Sequence, residues 1–192
     1  FAACLSQFVE DTKAELLVFV QPKHPNAPYK EFASLNKMGT VCTRSNDDDR
    51  SIKQKIQAFE PDAVFLSGWS DKTYRSIARS CSKNGVPVIM GFDNQWNGTL
   101  KQRLSCLLVR KFFRRYVDAV WVPGERQKCF ARNLGFGESA CWEGVYSCDS
   151  RLFREQGRVW QPQRDKAFLF VGRYVKEKGL DAVVCGAFGP SR

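Results

Sequence analysis

Residues 119–136 read AVWVPGERQKCFARNLGF. Ala119 to Val122 form a short run of β-branched and aromatic residues, the composition of a buried strand. Gly124 and Glu125 then open a helix directly behind it, and Gly135 supplies the residue type that ends helices. A strand that feeds straight into a helix is half of the unit from which parallel sheets are made.

Working outward, the same rhythm recurs along the chain. Apolar runs lie at Leu16 to Val20, Met38 to Cys42, Ala63 to Leu66, Val86 to Met90, Ala140 to Trp142 and Ala167 to Val171. Continuous apolar strands are what a parallel sheet covered on both faces requires, and the gaps leave room for a crossover helix each time. Asp49 precedes the periodic Ile52, Ile56 and Phe59, with Pro61 closing that helix. Ser70 or Asp71 is placed to cap a helix that ends near Gly85. Leu100, Leu104, Leu107, Leu108 and Phe112 fall on one stripe and predict the apolar face of a long helix beginning near Gly98 and ending before Asp118. The expected fold class is α/β: a doubly wound, Rossmann-like parallel sheet, followed by the beginning of a second such domain.

With 192 residues there is room for one ordinary domain and a little more, and 43% hydrophobic residues exclude a disordered or fibrous chain. The longest apolar runs fall far short of the roughly twenty residues that a membrane span needs. The net charge of +10 is unevenly spread, because residues 98–134 hold nine basic and two acidic side chains. Such a patch favours an anionic partner. The eight cysteines form no CxxC pair and several sit inside apolar runs, which reads as small buried hydrophobes in a reducing cytosol rather than a zinc or redox site. His24, the only histidine, lies in a proline-rich loop with no second imidazole, so zinc or triad chemistry on it is not expected. The sequon Asn97-Gly98-Thr99 has no secretory signal to support it. The chain opens at Phe1 without an initiator methionine and reads as a fragment whose first strand would precede Phe1.

Residues 150–166 lose periodicity and gain Arg, Gln, Gly and Pro, which marks a linker between domains at 1–149 and 167–192. Beyond it, residues 168–180 read FLFVGRYVKEKGL. A strand ends in Gly172 and Arg173, and five residues later Lys178 and Gly179 enter a helix. This stretch resembles the opening of the donor-binding domain of glycosyltransferase family four, the retaining group with the GT-B fold. The resemblance extends back through VPGERQKCFARNLGF at 122–136 and GVYSCDSRLF at 144–153, and takes in SGWSDKTY at 67–74 and GFDNQWNGT at 91–99.

The resemblance implies that Arg173 and Lys178 hold the diphosphate of a nucleotide sugar, where fixed cations stabilise the charge that builds as a nucleoside diphosphate departs. No metal is expected, and no cofactor beyond the donor substrate. Ligands of a doubly wound sheet bind beyond the carboxyl ends of its strands. Gly68, Trp69 and Trp96 lie at such ends, the glycine for close backbone approach and the indoles either to stack on a sugar or simply to pack. Asp93, Asn94 and Gln95 form the best polar cluster; Asp93 is the candidate base for an acceptor hydroxyl, or else the cap of the next helix. Relatives often place a histidine near this position, and this chain does not. Glu125 either faces the cleft, as the family's glutamate does, or only stabilises its helix terminus.

The resemblance thus implies transfer of a sugar from a nucleotide sugar to a hydroxyl of a glycan, lipid-linked or small-molecule acceptor, with retention, although this fragment alone is expected to transfer poorly or not at all. Arg103, Arg110 and Arg114 share a stripe of the leucine-bearing helix, which suits peripheral contact with anionic lipid or a solvated face. The expected location is cytoplasmic, either free in the cytosol or in peripheral contact with the membrane. No nucleic-acid motif accompanies the charge. The alternative is a non-catalytic α/β module that binds an anionic glycan, lipid head group or nucleic acid, and a phosphate-binding hydrolase is a weaker third.

Overall fold

The computed structural model describes residues 2–22, 38–44 and 49–144, together with Ser150 and Arg154. By backbone proximity the chain divides into two compact units, Phe1–Asp149 and Ser150–Arg192. Nearly all of the second, with Arg173 and Lys178, lies outside the described residues, and so does His24.

The first unit runs α1 (Ala2–Thr12), β1 (Leu16–Val20), β2 (Gly39–Thr43), α2 (Asp49–Phe59), β3 (Val64–Ser67), α3 (Lys72–Lys83), β4 (Val88–Gly91), α4 (Leu100–Phe112), β5 (Ala119–Val122), α5 (Glu125–Asn133) and β6 (Cys141–Glu143). Short 3₁₀ turns at Arg114–Tyr116 and Glu138–Ala140 lead into the last two strands. Every described strand coincides with one of the apolar runs to within two residues. Helix α1 had no sequence signal strong enough to register.

All strand pairs are parallel. Among the described residues β1 pairs with β2 alone, while β3, β4, β5 and β6 form a second sheet in chain order. The protein is therefore α/β with parallel sheets, as expected at that level. In the four-stranded sheet every crossover steps in the same direction, and right-handed crossovers of that kind put all their helices on one face. The core follows this rule. Leu66, Val88, Met90, Val120, Val122 and Cys141 alternate onto one face and pack with Ile52 of α2, Ile77 and Cys81 of α3, Cys106 and Val109 of α4, and Phe130 and Leu134 near the end of α5.

The opposite face carries Phe65, Trp121 and Trp142, about half exposed. Phe65 meets Trp121 edge-on with ring centroids 6.2 Å apart. Gly91 lies under the Phe65 ring, so a Cβ there would collide with it. Among the described residues no helix covers this face, so the second layer of a doubly wound arrangement is not among them.

Helix α4 differs from its sequence reading in orientation. The leucine stripe was expected to mark the buried face, yet Leu100 is 83% and Leu107 63% exposed, and Leu104, Leu108 and Phe112 are exposed too. Cys106 and Val109, with Phe113 just beyond the helix, go inward instead. The short side chains of Cys106 and Val109 let the helix axis approach the sheet closely, and Phe113 fills the space where the helix ends.

Candidate functional site

Strands β3, β4 and β5 end in one row, because Ser67 pairs with Gly91 and Gly91 with Trp121. The loops that leave this row hold Gly68-Trp69, Asp93-Asn94-Gln95 and Glu125, so the sequence candidates described here share one edge of the sheet.

After β3, Gly68 takes φ +81, a backbone conformation that favours glycine; a Cβ there would meet nothing within 4 Å, so conformation rather than space selects the residue. Trp69 turns back over the sheet end. Its ring sits 5.1 Å from Phe92 and 5.7 Å from Phe130, both edge-on. Trp96 lies 5.7 Å from the same Phe130 ring. Phe130 of α5 is thus the hub beneath three strand ends, a role its place in a helical stripe does not announce. Both indoles pack, half-buried, in this cluster. Arg75 pins the turn by donating to the carbonyls of Trp69 and Ser70 at 2.7 and 2.8 Å.

Asp71 accepts from the Thr73 amide at 2.8 Å and so caps α3. The same carboxylate is paired with the Arg44 guanidinium, which follows β2 and also donates to the Thr73 hydroxyl at 2.7 Å. That hydroxyl donates in turn to Asp49 at the start of α2. The bonds from Arg44 and from the Thr73 amide outweigh burial and hold the Asp71 carboxyl below its ordinary range, while Asp71 raises Arg44. Residues 27 apart in sequence meet here, and nothing in either neighbourhood signals the pairing.

After β4, Asp93, Asn94 and Gln95 are exposed. Among the described residues no group bonds their side chains; only the backbone is held, the Asp93 carbonyl by Gln127 Nε2 at 3.1 Å and the Gln95 carbonyl by Gln102 Nε2 at 2.8 Å. The side-chain oxygen of the same residue, Gln102 Oε1, accepts from the Asn97 backbone amide at 2.8 Å, which clasps the loop to α4. Of the two readings of Asp93, capping falls away: Thr99 caps α4 by accepting from the Gln102 amide.

Glu125 opens α5 behind Gly124, and no side chain caps that helix. The Glu125 carboxylate is taken by Arg132 at 2.8 Å, and Arg132 also holds Glu138 at 3.0 Å. Glu125 thus lies along its own helix. Arg114, expected to share a stripe with Arg103 and Arg110, is turned inward: it donates to the carbonyls of Val117 at 2.6 Å and Gly135 at 3.3 Å, and stacks 4.1 Å above Phe136.

A hollow of about 410 Å³ between α2 and α3 is lined by Lys53, Gln57, Pro61, Cys81 and Val86, among others. Pro61 and Val86 lead into β3 and β4, which places it at the opposite edge from the candidate loops. Among the described residues no three His, Cys, Asp or Glu side chains are grouped to hold a metal, and no helix is long and apolar enough to cross a membrane. Burial raises the Cys81, Cys106 and Cys141 thiols, which makes them poor nucleophiles.

The class these observations define is an α/β protein with parallel sheets and an open polar edge at its carboxyl strand ends. No protein-family model, no curated protein and no solved structure matches the chain.

Proposed function

We propose that the chain is the acceptor-side portion of a GT-B glycosyltransferase, built on a doubly wound Rossmann-like domain, with the start of its donor-binding domain from residue 167. The enzyme moves a sugar from a nucleotide sugar to an acceptor hydroxyl with retention. One observation carries this reading: three exposed polar side chains, Asp93, Asn94 and Gln95, to which no group among the described residues bonds, stand at the carboxyl end of a parallel strand beside the Gly68 turn, where ligands of such sheets bind. Asp93 accepts the acceptor hydroxyl's hydrogen and draws its proton as the oxygen attacks. Asn94 and Gln95 orient the acceptor. Arg173 and Lys178 neutralise the departing diphosphate.

The test separates donor from acceptor. The chain is titrated by calorimetry with nucleoside diphosphates and with inorganic phosphate; binding of a diphosphate that is lost in Arg173→Ala supports the reading, and a panel that yields no binding sinks it. With the donor found, transfer is followed in a chain that carries a whole donor-binding domain, since this fragment alone is expected to transfer poorly or not at all; there Asp93→Asn keeps donor affinity and lowers transfer by about 10²–10⁴-fold. A binding module without transfer chemistry is the second reading, favoured by the outward face of α4; it predicts no nucleoside diphosphate binding at all.

A further inference from the structure

Helix α4 carries its larger apolar residues outward. It turns by about 100° per residue, so Leu100, Leu104, Leu107 and Leu108 share the side opposite Cys106 and Val109, which are buried. Lys111 lies within that outward side, Arg103 and Arg110 flank it on one margin, and Lys101 flanks it on the other. From Leu100 to Val117 the sequence has six basic residues and no acidic one. An apolar strip rimmed by cations, on a helix held to the domain by its other face, matches a surface that is apolar within and anionic at its boundary.

We infer that α4 is a docking helix for an anionic lipid surface, lying in the plane of the interface with its leucines among the acyl chains and its lysines and arginines at the phosphates. Charge excludes the simplest rival: a second copy of α4 would bring like charges against each other, whereas anionic head groups complement them. Nucleic acid would satisfy the cations and leave the leucines in water. Arg114 takes no part, since its guanidinium is spent on Val117, Gly135 and Phe136. Docking draws on α4 alone and is independent of the chemistry at the strand ends. The Gln102 clasp nevertheless joins α4 to the loop of Asp93 to Gln95, so the open edge comes to rest near the lipid surface.

The experiment is co-sedimentation of the full chain with phosphatidylcholine vesicles, with and without about one third phosphatidylglycerol, at low and high salt. Binding to the anionic vesicles that weakens with salt, with little binding to the neutral ones, is expected. Lys101→Gln, Arg103→Gln and Arg110→Gln together lower binding by about 100-fold, at roughly fivefold per cation. Leu104→Ser with Leu107→Ser lowers it at least tenfold at every salt concentration while moving the thermal midpoint by only about a few degrees, because both side chains are already exposed and only helix propensity is lost. Equal binding to neutral vesicles, no binding to either, or a leucine-dependent dimer that ignores vesicles would each overturn the inference.

Discussion

Asp71 uses one carboxylate for two tasks, capping α3 and holding Arg44. Its capping role was legible, because an acidic residue just before a helical stretch has a local cause. Its partner was not, since Arg44 arrives only through the pairing of β2 with β1 and the packing of α2. Replacing Asp71 by Asn keeps a capping oxygen and deletes the charge, and should cost about 1–3 kcal/mol by chemical denaturation. The sign with pH follows from the lowered Asp71 pKa. The contribution is complete above the unfolded value of about 3.9 and is lost as pH falls through the lower folded value, so wild type and variant converge in acid. At Gly68 the local cause is again backbone: with φ +81, Gly68→Ala should lose about 1–2 kcal/mol, and an unchanged denaturation midpoint would refute that account. Asp93 is the opposite case, legible as a candidate by its place after a strand, while its exposure, with no partner among the described residues, needed the structure.

At the scale of elements, periodicity told that α4 exists and what repeats along it, but not which side faces the sheet. The helix has two apolar sides, the longer made of leucines and the shorter of Cys106 and Val109, continued by Phe113. A hydrophobic count favours the first. Packing favours the second, because small residues permit close approach and the Thr99 cap and Gln102 clasp fix the rotation of the first turn. The two sides should answer mutation differently. Phe113→Ala, at 3% exposure, should cost about 3–5 kcal/mol, while Leu107→Ala should stay within about 0.5 kcal/mol; equal losses in thermal or urea melts would mean that the leucines are buried after all. Strand positions were easier to read, because short apolar runs bounded by glycine and polar residues have one period and little ambiguity. Helix α1 was missed, as its residues show neither a capping signal nor a strong stripe.

On the scale of the whole molecule, the parallel α/β character was legible from the spacing of the runs, while strand order was not, because it depends on which strands pair. The order β3-β4-β5-β6 winds one way, and that fact places the three crossover helices α3, α4 and α5 together and leaves Phe65, Trp121 and Trp142, among the described residues, without a helix over them. The asymmetry has an optical consequence. Trp69 and Trp96 are half-buried around Phe130, whereas Trp121 and Trp142, at 49% and 47% exposure, look into solvent. With Trp160, the fifth tryptophan, replaced by Phe to leave these four, acrylamide, being neutral and so indifferent to the basic surface, should quench the emission in two populations. The accessible, longer-wavelength part should disappear in Trp121→Phe with Trp142→Phe. The protein therefore carries a built-in fluorescent gauge of its bare side: anything that comes to lie against that sheet face will announce itself as a shift of colour toward the blue.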